Sequence, residues 1–242
     1  MQNKKPLVYL GISVAACILI LIGGLLDNAL RIEGMFTLVA KVAIALGALI
    51  WLTWYGARPM AKRGFLRYAW LGLIPAALHV LACFGPFNAT KVPLDFIWGG
   101  TLTLMDTLWQ ALLLLGVGGS LLIEGGKVRS TARGVWIASF ALPHLVAIAA
   151  EPALYASHLL SAMVALAMGA FLTVVYENSG KLWMVILLPF AYSISETIFS
   201  VGSRNFAYFG GAVYYCILIC NIMLYAVGAV YLARHANGKP QA

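Results

Sequence analysis

The chain has 242 residues, is 62% hydrophobic and 10% charged, and carries a formal charge of +8; its mean hydropathy is +0.91. Soluble domains carry about 25% charged residues, so this composition excludes a soluble enzyme and a nucleic-acid-binding domain. The positive charge therefore needs an explanation other than an anionic polymer.

Apolar runs lie at 7–26, 36–55, 68–86, 95–123, 134–150, 155–176, 181–200 and 207–233. Most are about 20 residues long, enough to cross a hydrocarbon core of ~30 Å at ~1.5 Å per residue. The predicted fold class is all-α: a polytopic integral membrane helical bundle of about eight transmembrane helices. The whole of 1–242 forms a single transmembrane domain, since no loop is long enough to hold a soluble one. The first run follows MQNKKP and is too long for a signal-peptide core, so it is expected to stay as the first helix. The turn residues Gly56 and Pro59, Gly85 and Pro86, Gly125 and Gly126, Pro152, Gly180 and Gly202 punctuate the connections. Such short links predict that consecutive helices are spatial neighbours. Pro75, Pro143 and Pro189 fall inside runs and are expected to kink them.

The basic residues sort onto alternate loops. With the N-terminus inside, twelve lie on the inner side, among them Lys4, Lys5, Arg129, Arg133 and Arg234 and the stretch Arg58–Arg67; only Arg31, Lys91 and Arg204 lie outside. The positive-inside rule then puts both termini in the cytoplasm and makes the helix number even. Short loops suggest a bacterial inner membrane, with the lipid bilayer as the main partner. Cys17, Cys83, Cys216 and Cys220 form no C-x-x-C and read as small buried packing residues. The stretch GVGGS at 116–120 lies within a run and follows no strand, so it reads as close-packing material rather than a phosphate cradle.

Ionisable groups inside the bilayer are costly and mark the place to look for function. Asp106 lies about 11 residues from Asp95 at the outer end of its run, hence ~16 Å deep. Gln110 follows at i+4 on the same face. His144 and His79 lie at similar depths in their own runs. These groups on separate helices are expected to converge on one polar cavity, able to handle a proton or, as a weaker candidate, to ligate a metal through His79, Asp106 and His144. Glu196 is expected near the outer leaflet, in reach of a cavity or of Arg204. Lys41 is expected to snorkel outward, and Glu151, His158 and Glu177 to be solvated at loop edges. No P-loop, HExxH, serine elbow or dinucleotide fingerprint is present, and no cofactor is implied.

The segment 95–200 resembles the CPBP family, the CAAX proteases and bacteriocin-processing or immunity (Abi) proteins. These are intramembrane glutamic-type peptidases with motifs E-E-x-x-x-R, F-x-x-x-H and H-x-x-x-N/D on separate helices. The second motif is present as Phe140-Ala-Leu-Pro-His144, and Tyr176, Gly180, Leu182 and Trp183 match the approach to the third. The first motif falls on Met105, Asp106 and Gln110, and the third on Pro189 and Ser193, which replace its His and Asn. The resemblance implies catalytic positions at Asp106, Gln110 and His144 and a membrane-embedded or prenylated peptide as substrate or partner. The substitutions imply that the ordinary peptidase mechanism is lost or strongly weakened, leaving an altered endopeptidase or a non-catalytic relative in binding, immunity or regulation. The alternative is a small secondary transporter or channel component with a midplane polar site.

Overall fold

A computed structural model describes residues 4–32, 34–56, 69–83, 93–124, 127–150, 152, 155–198 and 200–237. Among them, eight helical rods follow the eight apolar runs. Helix α1 is Lys5–Leu30 and α2 is Met35–Tyr55. Helix α3, Leu73–Cys83, is entered through a 3-10 turn at Trp70–Gly72. Helix α4 is α-helical over Pro93–Trp109, widens to a π-helix over Gln110–Val117, and closes as α-helix over Gly118–Leu122. A short antiparallel hairpin follows, β1 (Ile123–Glu124) paired with β2 (Lys127–Val128). Helix α5 comprises Ser130–Ala138, a 3-10 turn at Ser139–Ala141, and Leu142–Ala150. Helices α6, α7 and α8 are Tyr155–Ser179, Leu182–Ile198 and Ser200–Asn237.

Six of the rods contain stretches long and apolar enough to cross a membrane; Trp70–Val80 in α3 and Leu182–Ile194 in α7 are shorter apolar segments. The described residues thus form an almost wholly helical bundle of membrane-spanning character. Its outside is as greasy as its inside. Val39, Leu46 and Ile50 on α2, Leu159, Met163 and Leu166 on α6, and Val227 and Val230 on α8 are all exposed. Helices apolar all round belong in lipid.

The local irregularities have identifiable causes. Pro143 cannot donate to the Ser139 carbonyl four residues back. The chain tightens to 3-10 just ahead of it, and the Leu142 N–H donates to that carbonyl instead. Gly180, at φ 65°, supplies the left-handed turn from α6 into α7. At the other end of the bundle, α1 closes on Arg31 in the left-handed region, and buried Asp27 caps the start of α2. Its Oδ1 accepts from the Phe36 N–H at 2.8 Å, and its Oδ2 accepts from the Thr37 N–H at 2.9 Å and the Thr37 hydroxyl at 2.6 Å.

Helix α4 is the spine. It packs on α1, α2 and α7, while α6 packs on α5 and α8. The main neighbours of α3 among the described residues are α7 and α8. This departs from the expectation that consecutive helices touch, because that expectation rested on short loops, and the segments flanking α3, including the Arg58–Arg67 stretch and Gly85–Pro86, lie outside the described residues. Helix α8 starts at Ser200, so Gly202 is helical rather than a turn. Cys216 and Cys220 are exposed on α8, not buried as expected; a thiol is apolar enough to face lipid as readily as core.

Close packing surrounds the glycines of α4, as it does Gly169 of α6, where a Cβ would lie 2.5 Å from Phe140. A Cβ on Gly116 would lie 2.6 Å from Leu52 of α2. On Gly118 it would lie 2.6 Å from Trp136 of α5 and 3.0 Å from Tyr9 of α1, and on Gly119 it would lie 2.7 Å from Tyr176 of α6. The close-packing reading of this stretch agrees with these distances. The Leu114 carbonyl, within the π-helix, accepts from both the Tyr9 hydroxyl at 3.1 Å and the Trp136 indole N–H. Three helices are thus tied to one backbone atom. A charged band closes this end of the bundle, with Lys5 Nζ 2.9 Å from Glu124 Oε1 and Arg133 Nη2 2.7 Å from Glu177 Oε1. Glu177, expected to be solvated, is therefore ion-paired and largely covered.

Candidate functional site

Above the glycine-packed end, α4, α5, α6 and α7 diverge around a cavity of about 360 Å³. Asp106 and Gln110 of α4 line it together with His144 of α5, so the three candidate residues share one space. Phe140 lines it too, as do Pro189 and Ser193 of α7. Of the positions set against the three motifs in the sequence, all but Met105 line this cavity. Thr103, Thr107, Ser161 and Tyr192 add polar groups that no motif or charge signalled beforehand, and Leu218 of α8 completes one side.

The principal correction concerns Lys41. It does not snorkel outward. Its ammonium lies 2.8 Å from Asp106 Oδ1, with the lysine side chain 11% exposed and the aspartate 43%. The geometry follows from helix stagger. Gly34, just before α2, lies level with Leu102 of α4: a Cβ there would sit 3.7 Å from the leucine. Helices α2 and α4 run in the same direction, since Leu52 meets Gly116 further along. Lys41 is then about 10 Å along α2 and Asp106 about 6 Å along α4 from that common level, at ~1.5 Å per residue. A helical side chain leans back toward its own N-terminus, so the lysine reaches the carboxylate. Depth counted along each run separately could not reveal this.

The same oxygen, Asp106 Oδ1, also accepts from the indole N–H of Trp109 at 3.2 Å, and that indole is 1% exposed. Asp106 is therefore held from two sides, by a charge on α2 and by a donor on its own helix. Immediately after Trp109 the π-helix begins at Gln110. Such widening is rare and recurs at functional sites. No feature of the run 95–123 announces it.

His79 does not reach the cavity. It is fully buried on α3 and stacks on Tyr192 of α7, with ring centroids 3.9 Å apart and planes 11° from parallel. Tyr192 lines the cavity, so the histidine stands one layer behind. Equal depth was a necessary condition for convergence, but the rotation of α3 decides otherwise. Consistent with this, no group of three His, Cys, Asp or Glu side chains among the described residues is placed to hold a metal, and the His79, Asp106 and His144 ligand set is not assembled. Glu151 and the side chains of Glu196 and Arg204 lie outside the described residues.

Chemically, the cavity offers one carboxylate already engaged by a cation, one imidazole, one carboxamide and several hydroxyls over an apolar floor. Comparison with protein-family models, with curated proteins and with solved structures finds no match for the chain.

Proposed function

We propose that this is an eight-crossing protein of a bacterial inner membrane, with both termini cytoplasmic, whose cavity binds a membrane-embedded ligand or peptide without hydrolysing it. The scaffold is read as CAAX-protease-like because the positions that fall on the three motifs, Met105 apart, share one cavity. The loss of hydrolysis rests on one observation: Asp106 Oδ1 is occupied by the Lys41 ammonium at 2.8 Å. A peptidase of this type needs a carboxylate positioned to take a proton from an attacking water. Here the side chain is a methylene shorter than glutamate, one oxygen is committed, and the third-motif positions carry Pro189 and Ser193. Missing oxyanion donors alone cost ~2.7–4 kcal/mol in enzymes that depend on them. The charged band of Lys5, Arg129 and Arg133 marks the cytoplasmic end in this reading.

The test uses the full chain in lipid nanodiscs with membrane-embedded and prenylated peptides, each scored for retention and for cleavage by mass spectrometry. Retention of intact peptide is the expected result. Cleavage by the wild type that disappears in both Asp106→Ala and His144→Ala would overturn the reading, and so would failure to retain any peptide or lipid-like ligand.

A further inference from the structure

Helix α8 turns two polar side chains toward the middle of the bundle. Asn221 and Tyr225 lie one turn apart on the same face, and both are fully buried. Tyr225 meets Phe171 of α6 and Tyr192 of α7, with ring centroids 5.8 Å and 6.2 Å away. Leu218, three residues before Asn221 on that face, lines the cavity, as does Tyr192. The pair therefore stands behind the cavity wall. Neither carboxamide atom of Asn221 has a hydrogen-bond partner, and the Tyr225 hydroxyl has none either. Elsewhere such groups are served directly. Buried Asn178 donates to the Val174 carbonyl of its own helix at 2.8 Å, and the Tyr9 hydroxyl bonds both Ser139 and the Leu114 carbonyl. Asn221 makes no such turn onto its own backbone, so its amide is left between helices.

We infer that Asn221 and Tyr225 hold an internal water molecule between α8 and its neighbours, behind the wall that Tyr192 and Leu218 present to the cavity. Buried polar groups in folded proteins are nearly always bonded, either to protein or to ordered water. The chemistry of the pair selects water. The carboxamide needs an acceptor for its N–H groups and a donor for its oxygen, and the phenol serves as either. A bare cation answers only the oxygens, and an anion answers only the N–H and O–H groups; water answers both. The spacing fits as well. The two residues are ~6 Å apart along the helix axis, and the tyrosine leans back toward Asn221. A bound water makes about two to four hydrogen bonds, and the three polar atoms here fall in that range. The inference is independent of what the cavity itself binds.

The experiment is X-ray radiolytic footprinting of the full chain in nanodiscs, read by mass spectrometry. Hydroxyl radicals made from a bound water oxidise the side chain beside it, whereas a dry buried ring is spared. Tyr9 is the internal control, since it is as buried as Tyr225 but bonded directly to protein. Tyr225 should be oxidised several-fold faster than Tyr9. Asn221→Leu, of similar volume, should bring Tyr225 down to the Tyr9 rate, and Asn221→Ser, which keeps a hydroxyl, should preserve the faster rate. Equal oxidation of Tyr225 and Tyr9 in the wild type overturns the inference without recourse to a variant. Undiminished oxidation of Tyr225 in an Asn221→Leu protein that melts like the wild type overturns it too. Neither result bears on peptide retention by the cavity, which is measured separately.

Discussion

Helix α4 carries two regions built on opposite rules. Its first half presents Thr103, Asp106 and Gln110 to open space, and its last part presents Gly116, Gly118 and Gly119 to helices so close that no side chain fits. Polar groups in the membrane interior are tolerated where they line a cavity or pair with one another, and small residues are used where helices must touch. The contrast teaches that the cavity is held open from below. The π-helical stretch that joins the two regions is tied to α1 and α5 through one carbonyl.

The largest effect should come from breaking the tight region. Gly118→Val drives a side chain into Trp136 and Tyr9, and overpacking of this kind costs typically 1–3 kcal/mol and sometimes more. We expect about 3 kcal/mol and a corresponding fall in detergent melting temperature. Gly134→Ala on the same bundle, where nothing lies within 4 Å of the added carbon, should be neutral or slightly stabilising, and equal damage at both positions would erase the distinction.

A smaller effect should follow from uncoupling the cavity's ion pair. Lys41→Met leaves Asp106 charged and unbalanced. Removing one partner of a fully buried pair costs ~3–5 kcal/mol; with Asp106 43% exposed to the cavity, about 2 kcal/mol is expected after screening. Adding Asp106→Leu should return most of that loss. A double variant no more stable than Lys41→Met in a thermal-shift series would show that the pair is not what orders this region.

The smallest effect belongs to the charged band. Lys5, hydrogen-bonded to Glu124, and Arg129 nearby hold the Glu124 carboxyl below the ordinary glutamate range. A depressed folded-state pKa contributes stability that is present above the unfolded value, ~4.3, and lost as pH falls through the folded one. The expected outcome is a shallow decline in melting temperature below about pH 4.3 that Glu124→Gln removes and salt diminishes. An unchanged slope in that variant would assign the decline elsewhere.

Much of this arrangement was legible in the sequence, and the illegible parts share one cause. Helix positions followed from run length, the role of the glycine stretch from its place inside a run, and the meeting of Asp106, Gln110 and His144 from depth and motif order. Stagger and rotation between helices leave no such trace. Hence Lys41 read as a snorkelling residue although it pairs with Asp106, and His79 read as a cavity residue although it stacks behind Tyr192. The one signal available for the lysine was charge complementarity between the runs 36–55 and 95–123. The π-helix has no compositional signature at all; it coincides with the close contacts around Leu114.

The capping of α2 by Asp27 bears on how the protein is made. Both oxygens of that carboxylate are satisfied by the first turn of the next helix, and its backbone carbonyl accepts from the Ile32 N–H at 2.9 Å. The turn between α1 and α2 therefore meets its own polar needs locally, whereas Tyr9 of α1 and Lys41 of α2 find their partners on α4. The corner of this hairpin can close before the rest of the bundle packs, and its arms are completed only when α4 supplies the Leu114 carbonyl and the Asp106 carboxylate.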